Sequence, residues 1–305
     1  MSQKRVMLIA NKWWDADPLC WVLFHDKAHP STFYDYKITN YPTQRRFARS
    51  TESRPPDPPV LPRFTFCYLD ATVEVWCLEE LMNPAEHPSS TLEKTRVLPA
   101  AINFGPIPDL VVAFGTGGSR EGLGINGCVV VGRRVFIHDP YESESDRTGM
   151  WRAPSPNTVV DSDLTSSVFR CISPESRHSA EARFLPTPVS PANPALVLTG
   201  NSFISVGAIN GTDYDDYTRI GNSTVEAFKE HGARFGEIGS IESTHGVVRV
   251  VADAPFLYVT GITDSVGVFN IQVTPRVYAQ NTVAAHNAAI ALAWLLPDVI
   301  QALPD

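Results

Sequence analysis

Pro108-Asp109-Leu110-Val111-Val112-Ala113-Phe114-Gly115-Thr116-Gly117-Gly118 is the stretch that decides the fold. Leu110 to Phe114 form a continuous apolar run, the mark of a strand buried on both faces. Such a strand needs helices above and below it, which is the α/β arrangement. The run gives way to Gly115-Thr116-Gly117-Gly118, which reads as a glycine turn at the strand's carboxyl end.

Working outward, similar runs occur at Val6 to Ala10, at 64–78, at Cys128 to Val131 with 133–137, at Ala195 to Leu198 and at Phe256 to Ile262. Helical spacing appears at 223–231, with Ser223 as N-cap and Gly232 at the end, at 242–251 and at 281–296. Apolar strands alternating with helices predict an α/β fold: a single domain over residues 1–305 with a central, mainly parallel mixed sheet flanked by helices. Two proline-rich zones interrupt it. Residues 42–62 hold six prolines among Arg45, Arg46, Arg49 and Arg54, and residues 139–194 hold eight. Proline lacks a ladder donor and breaks helix interiors, so both zones read as insertions, although 162–171 could be helical.

Composition narrows the function. At 305 residues and 43% hydrophobic, the chain can bury a large core. A formal net charge of −8 argues against nucleic acid as a partner. The five cysteines are odd in number and form no C-x-x-C, which suits free thiols in a reducing compartment. The N-terminal apolar run of five residues is too short for a signal-peptide core, and Ala288 to Leu296 is too short to span a bilayer. A cytoplasmic protein with no membrane partner is expected. No His/Cys cluster has metal-ligand spacing, so neither metal nor cofactor is expected. No G-x-S-x-G elbow is present, and Gly122-x-Gly124-x-x-Gly127 precedes a strand instead of following one, which removes the dinucleotide reading.

Ligands of open α/β sheets bind beyond the carboxyl ends of the strands. There the sequence places Asp15 and Asp17, Thr116 in the glycine turn, Asn201 and Phe203, Glu242, and Asp264. Each has a plain alternative: Asp264 as a helix N-cap, Glu242 as a helix-dipole partner, Phe203 as core.

The combination, in this order, resembles the nucleoside phosphorylase and nucleosidase superfamily, which includes purine and uridine phosphorylases and methylthioadenosine/adenosylhomocysteine nucleosidases. Residues 108–118 are similar to its strand and Gly-Ser/Thr-x-Gly turn, and Leu123 to Val131, running on to His138-Asp139, to its next block. Thr199-Gly200-Asn201-Ser202-Phe203-Ile204 resembles its S-G-D-x-F segment. Ile241-Glu242-Ser243-Thr244 and Gly261-Ile262-Thr263-Asp264 resemble M-E-x-x and R-x-I-S-D. The resemblance covers roughly residues 5–24, 105–139 and 195–297 and implies a phosphorylase/hydrolase-like fold.

It also implies a reaction: cleavage of the N-ribosidic bond of a purine-type nucleoside through an oxocarbenium-like transition state. Asp264 would be the general acid that protonates the departing base. Glu242, beside Ile241, would hold the ribose hydroxyls. Phe203 would stack on the base and the backbone around Ile204 would read its edge, with Asn201 at the family's Asp position. Thr116 and Gly117 would face the nucleophile side of the sugar. Phosphorylases of this type place arginines after the first strand and before the glycine turn; here Cys20 stands at the first place, and Ala113-Phe114-Gly115-Thr116 carries none at the second. Nucleosidases place a carboxylate after strand one to activate water. Asp15 falls at or next to that position, with Asp17 as competitor. A hydrolytic nucleosidase is therefore expected. A phosphate-dependent phosphorylase, its anion contacts supplied by the 45–54 arginines of a neighbouring subunit, is one alternative, and a non-catalytic nucleoside-binding member of the fold is the other. The resemblance further implies a homo-oligomer: dimer, trimer or hexamer.

Overall fold

The structure is a computed structural model, and it describes residues 3–26, 61–82, 91–119, 126–139, 157–161, 173–186, 196–198, 203–208, 222–265 and 277–305. Of 24–26, 196–198, 203–208 and 277–279 the backbone alone is described. The arginine group at 45–54, the possible helix at 162–171 and Asn201 lie outside the described residues.

The chain opens with β1 (Lys4–Ala10), α1 (Trp13–Asp26), β2 (Phe64–Tyr68), β3 (Ala71–Cys77), the single turn α2 (Leu78–Leu81) and α3 (Thr91–Ile102). Then come β4 (Leu110–Ser119), β5 (Val129–Gly132), β6 (Val135–His138), β7 (Thr158–Val160), α4 (Pro174–Glu181), β8 (Leu196–Leu198) and β9 (Phe203–Ala208). A helix over 222–227, here α5, runs into a π-turn and a 3-10 turn ending at Phe235. β10 (Glu237–Glu242), α6 (His245–Val251), β11 (Phe256–Ser265) and α7 (Val277–Ala302) complete the chain.

The described strands form one mixed sheet. β1 pairs in parallel with β3 and with β4, and β11 pairs in parallel with β4 on its other edge. β10 and β9 are parallel, as are β9 and β6, while β2–β3, β5–β11 and β6–β7 are antiparallel. The expected strand over 64–78 is thus a hairpin, turned at Leu69, which takes a left-handed φ of 51°.

Alternation along the strands builds two cores, one on each face. Val6, Leu8 and Ala10 point to the side covered by α1 and α7, with Leu110, Val112 and Phe114 beside them. Met7 and Ile9 point to the side covered by α3 and α6, with Val111 and Ala113. Both sets are buried, which is why the apolar runs are continuous and not alternating.

The last helix is longer than its sequence pattern predicts, 26 residues instead of 16. Its Gln280–Ala302 portion is long and apolar enough to cross a membrane by length and composition, but 78% of its most apolar 18 residues is buried inside the protein. Its apolar side chains pack on α1 and β11 in the first core. Polar residues such as Asn281, His286 and Asn287 interrupt the apolar run, so a count of consecutive apolar residues falls short of the helix.

Candidate active site

The glycine segment is where the elements meet. Gly115 to Gly118 does not turn; it continues β4 through to Ser119, held along one edge by β11. On the other edge β1 accompanies β4 only as far as Phe114, and β10 takes over at Gly118. The glycines serve this close approach. A Cβ on Gly117 would lie 2.8 Å from the Ile241 carbonyl oxygen and 3.0 Å from the Glu242 Cβ.

Gly118 is flanked on one edge by Ile241 and on the other by Asp264. Adjacent strands lie ~4.8 Å apart, so Ile241 and Asp264 are separated by roughly 10 Å across one strand. Glu242 and Asp264, 22 positions apart in sequence, therefore stand on either side of the β4 glycines. A β-bulge between Ile262 and Asp264 inserts Thr263 and redirects the end of β11.

Glu242 does not open a helix. It ends β10, and its carboxylate accepts the backbone amides of Thr244, at 2.5 Å, and of His245, at the start of α6. The dipole reading of Glu242 thus holds in part, because those amides are the positive end of α6. Burial pushes the carboxyl up to about 7, against the two amides and the Lys94 ammonium; Asp15 pushes it further up. Behind it lies His245, buried and stacked on Tyr258 with ring centroids 5.3 Å apart. Its Nδ1 is 3.5 Å from the Glu242 carboxylate, and burial lowers its pKa to about 3, so the imidazole is neutral.

Asp15 occupies the third position of α1. Its carboxylate accepts the Lys12 amide at 3.2 Å, the reciprocal half of a capping box, and the Thr116 hydroxyl at 3.0 Å. Burial pushes it up to about 7, with the Thr116 and Lys12 contacts opposing. Asp17, the competitor, belongs elsewhere: it is buried in an ion pair with Arg63, which also reaches Glu80 at 3.4 Å. Cys20 lies in the first core, its thiol pushed up to about 12 by burial. Trp13 and Trp14 are half-buried beside Asp15, edge to face, with Lys12 Nζ 4.5 Å above the Trp14 ring.

Asp264 is buried, and burial raises its carboxyl to about 6 against a hydrogen bond from Thr263. Thr263 Oγ1 lies 2.5 Å from Asp264 Oδ1 and 3.2 Å from the Gly117 carbonyl.

Phe203 and Ile204 are not brought to this rim along the β9–β10 pair. They sit opposite Glu237 and Ile238, whereas Gly207 stands opposite Glu242. Four residues at ~3.3 Å each put the Phe203 backbone roughly 13 Å down the strand. Their side chains lie outside the described residues.

The sequence reading missed Lys94, Thr244, Thr263 and Gln280. Lys94 is fully buried on α3 and donates to the Thr244 hydroxyl at 3.0 Å. It shares its helix face with Val97, Leu98 and Ala101, and a lysine on that apolar stripe was the available signal. Gln280 Nε2 donates to the Thr263 carbonyl at 2.5 Å, which ties α7 to the bulge. Among the described residues no group of His, Cys, Asp and Glu could hold a metal ion.

The described residues make an α/β protein whose mixed sheet is covered on both faces, with carboxylates at the carboxyl ends of β1, β10 and β11. No family model and no curated relative matches the chain. Solved structures do. The Helicobacter pylori 5′-methylthioadenosine/S-adenosylhomocysteine nucleosidase is 12% identical with a TM-score of 0.55, over 97% of this chain and 99% of that one. The Streptococcus pneumoniae enzyme of the same name, crystallised with a transition-state inhibitor, is 14% identical with a TM-score of 0.53, over 96% and 98%. Futalosine hydrolase of Helicobacter pylori is 12% identical with a TM-score of 0.55, over 97% and 98%. At these identities the likeness is one of fold: the chain shares the architecture of these hydrolases.

Proposed function

We propose that this protein hydrolyses the N-ribosidic bond of a purine-type nucleoside. The observation that carries the reading is the placement of Glu242 and Asp264 on the two edges of β4 at its glycines, with Asp15 bonded to Thr116 of the same segment. A nucleoside laid across Gly117 and Gly118 meets an acid at its base, a carboxylate at its sugar and a second carboxylate at the anomeric carbon.

The chemistry follows from these positions. Asp264, protonated, gives its proton to a ring nitrogen of the base as the C1′–N bond breaks and the bonding electrons leave with the base. Glu242 accepts hydrogen bonds from ribose hydroxyls and sets negative charge beside the oxocarbenium-like centre. Water attacks C1′, and Asp15 takes its proton. Thr116 and Gly117 line the face from which water comes, and Ile241 backs the sugar. The half-buried Trp13–Trp14 pair forms an apolar wall beside it.

Water is preferred to phosphate because Asp15, a carboxylate, occupies the nucleophile side, and a phosphate dianion there would meet like charge. The position where phosphorylases of this type carry an arginine is the buried thiol Cys20. Incubation with a panel of purine nucleosides, with and without phosphate, tests this. Free base released at a rate independent of phosphate supports the hydrolase. Sugar 1-phosphate among the products would instead establish a phosphorylase, and tight binding without turnover a ligand-binding protein. A cytoplasmic homo-oligomer belongs to the same reading, and sedimentation of the purified chain tests the assembly.

A further inference from the structure

Lys94 is used by none of the steps above, yet it lies among their carboxylates. Its Nζ donates to Thr244 Oγ1 at 3.0 Å, and the Thr244 amide donates to Glu242 Oε2 at 2.5 Å, so one residue bridges cation and carboxylate. Among the described residues that is the single hydrogen bond of the ammonium, which leaves two N–H groups unspent in a fully buried side chain. A buried cation with donors to spare is stable only in the field of anions. The anions are at hand. The Glu242 Cβ faces Gly117, and the neighbouring Thr116 holds Asp15.

We propose that Lys94 is a positioning residue: it anchors the Glu242–His245 turn through Thr244 and serves as a shared counter-ion that lets Asp15 and Glu242 be ionised together. Two carboxylates at one site oppose each other's ionisation unless a cation stands with them. The charged groups that act on Lys94 are Lys12 and Asp15 from the start of α1, Glu79 from α2 and Glu242 from β10. Burial lowers the lysine to about 7, and Lys12 lowers it further, while Glu242, Asp15 and Glu79 pull it back up. Lys94 and Glu242 thus exchange protons over the same pH range, as a coupled pair that the nearby Asp15 carboxylate acts on.

The proposal rests on the pairing of Asp15 and Glu242 in the functional reading, but its test needs no turnover. Carboxyl carbon NMR titration of the whole folded protein, with Asp15→Asn and Glu242→Gln to assign the signals, reads both midpoints directly. In Lys94→Met the Glu242 midpoint is expected to rise by about one pH unit or more, because loss of a cation disfavours the charged carboxylate, and the Asp15 midpoint by less, because Asp15 keeps Lys12. Unchanged or lowered midpoints would overturn the proposal. Should that variant not fold, the wild-type protein decides: the Asp15 and Glu242 signals must show an inflection at the pH where the Lys94 Cε signal titrates, and independent curves would overturn the proposal equally. Absence of nucleosidase activity would leave this result standing, and failure of the titration would leave the hydrolase reading standing.

Discussion

Asp264 and Asp15 both enter neutral solution with their ionisation undecided, and burial is the cause in each case. Catalysis as proposed needs Asp15 charged and Asp264 protonated. Activity must therefore climb as pH rises toward about 7, where Asp15 loses its proton, and fall as pH rises past about 6, where Asp264 loses its own. The expected profile of kcat/KM is a bell centred between those values, because only a minority of molecules hold the productive combination. A plateau through pH 8 would contradict the assignment. Asp264→Asn cannot donate the proton and is expected to lower kcat by ~10²–10⁴-fold, with ligand binding retained; near-wild-type turnover would remove Asp264 from the acid role. For Glu242→Gln the amide oxygen can accept only one of the Thr244 and His245 amides, and the amide nitrogen would face the other, donor against donor. Weakened nucleoside binding together with a lower kcat is expected, and unchanged KM and kcat would contradict its place at the sugar.

At the level of elements, the close approach of strand to strand and strand to helix is set by small residues. A Cβ on Gly261 would lie 2.1 Å from the Ala284 carbonyl oxygen, so β11 would have to move off α7. Gly261→Ala is expected to destabilise by ~3 kcal/mol or more, at the upper end of overpacking effects, measured by denaturant unfolding. Arg63, on the approach to β2, holds Asp17 of α1 and Glu80 of α2 in a buried ion pair. Arg63→Met takes the cation away from both carboxylates, and removal of one partner of such a pair costs about 3–5 kcal/mol. The same experiment separates the two aspartates of α1: Asp17→Asn should act on stability, Asp15→Asn on turnover. The sequence could not tell them apart because both follow strand one within a single turn of helix. Only the position of Arg63, 46 residues away, assigns Asp17 to the scaffold.

For the whole molecule, the buried α7 predicts that the chain purifies without detergent despite a 23-residue apolar stretch, since that surface is already covered by β11 and α1. Partition into the detergent phase would show that the helix has another use. How much of this was legible beforehand differs by feature. Leu110 to Phe114, Val6 to Ala10 and Phe256 to Ile262 announce their strands through continuous apolar runs, because a strand covered on both faces has no polar side to display. Local sequence misjudged the glycines of β4 and the start of α6. A glycine reads as a turn wherever its neighbours are unknown, and here β10 and β11 hold Gly117 and Gly118 extended. Lys94 escaped notice because a lysine is ordinarily a solvated residue.

What the residues determined by themselves is the covered sheet and the acids at strand ends, since apolar periodicity and side-chain chemistry are local properties of the chain. What tertiary structure alone decided is which acids share a strand edge, which one is tied to Arg63, and that a buried ammonium stands among them. Those are facts of pairing between segments tens to hundreds of residues apart. Proton affinity depends on the burial and neighbouring charge that such pairing creates, and no stretch of chain carries that information alone.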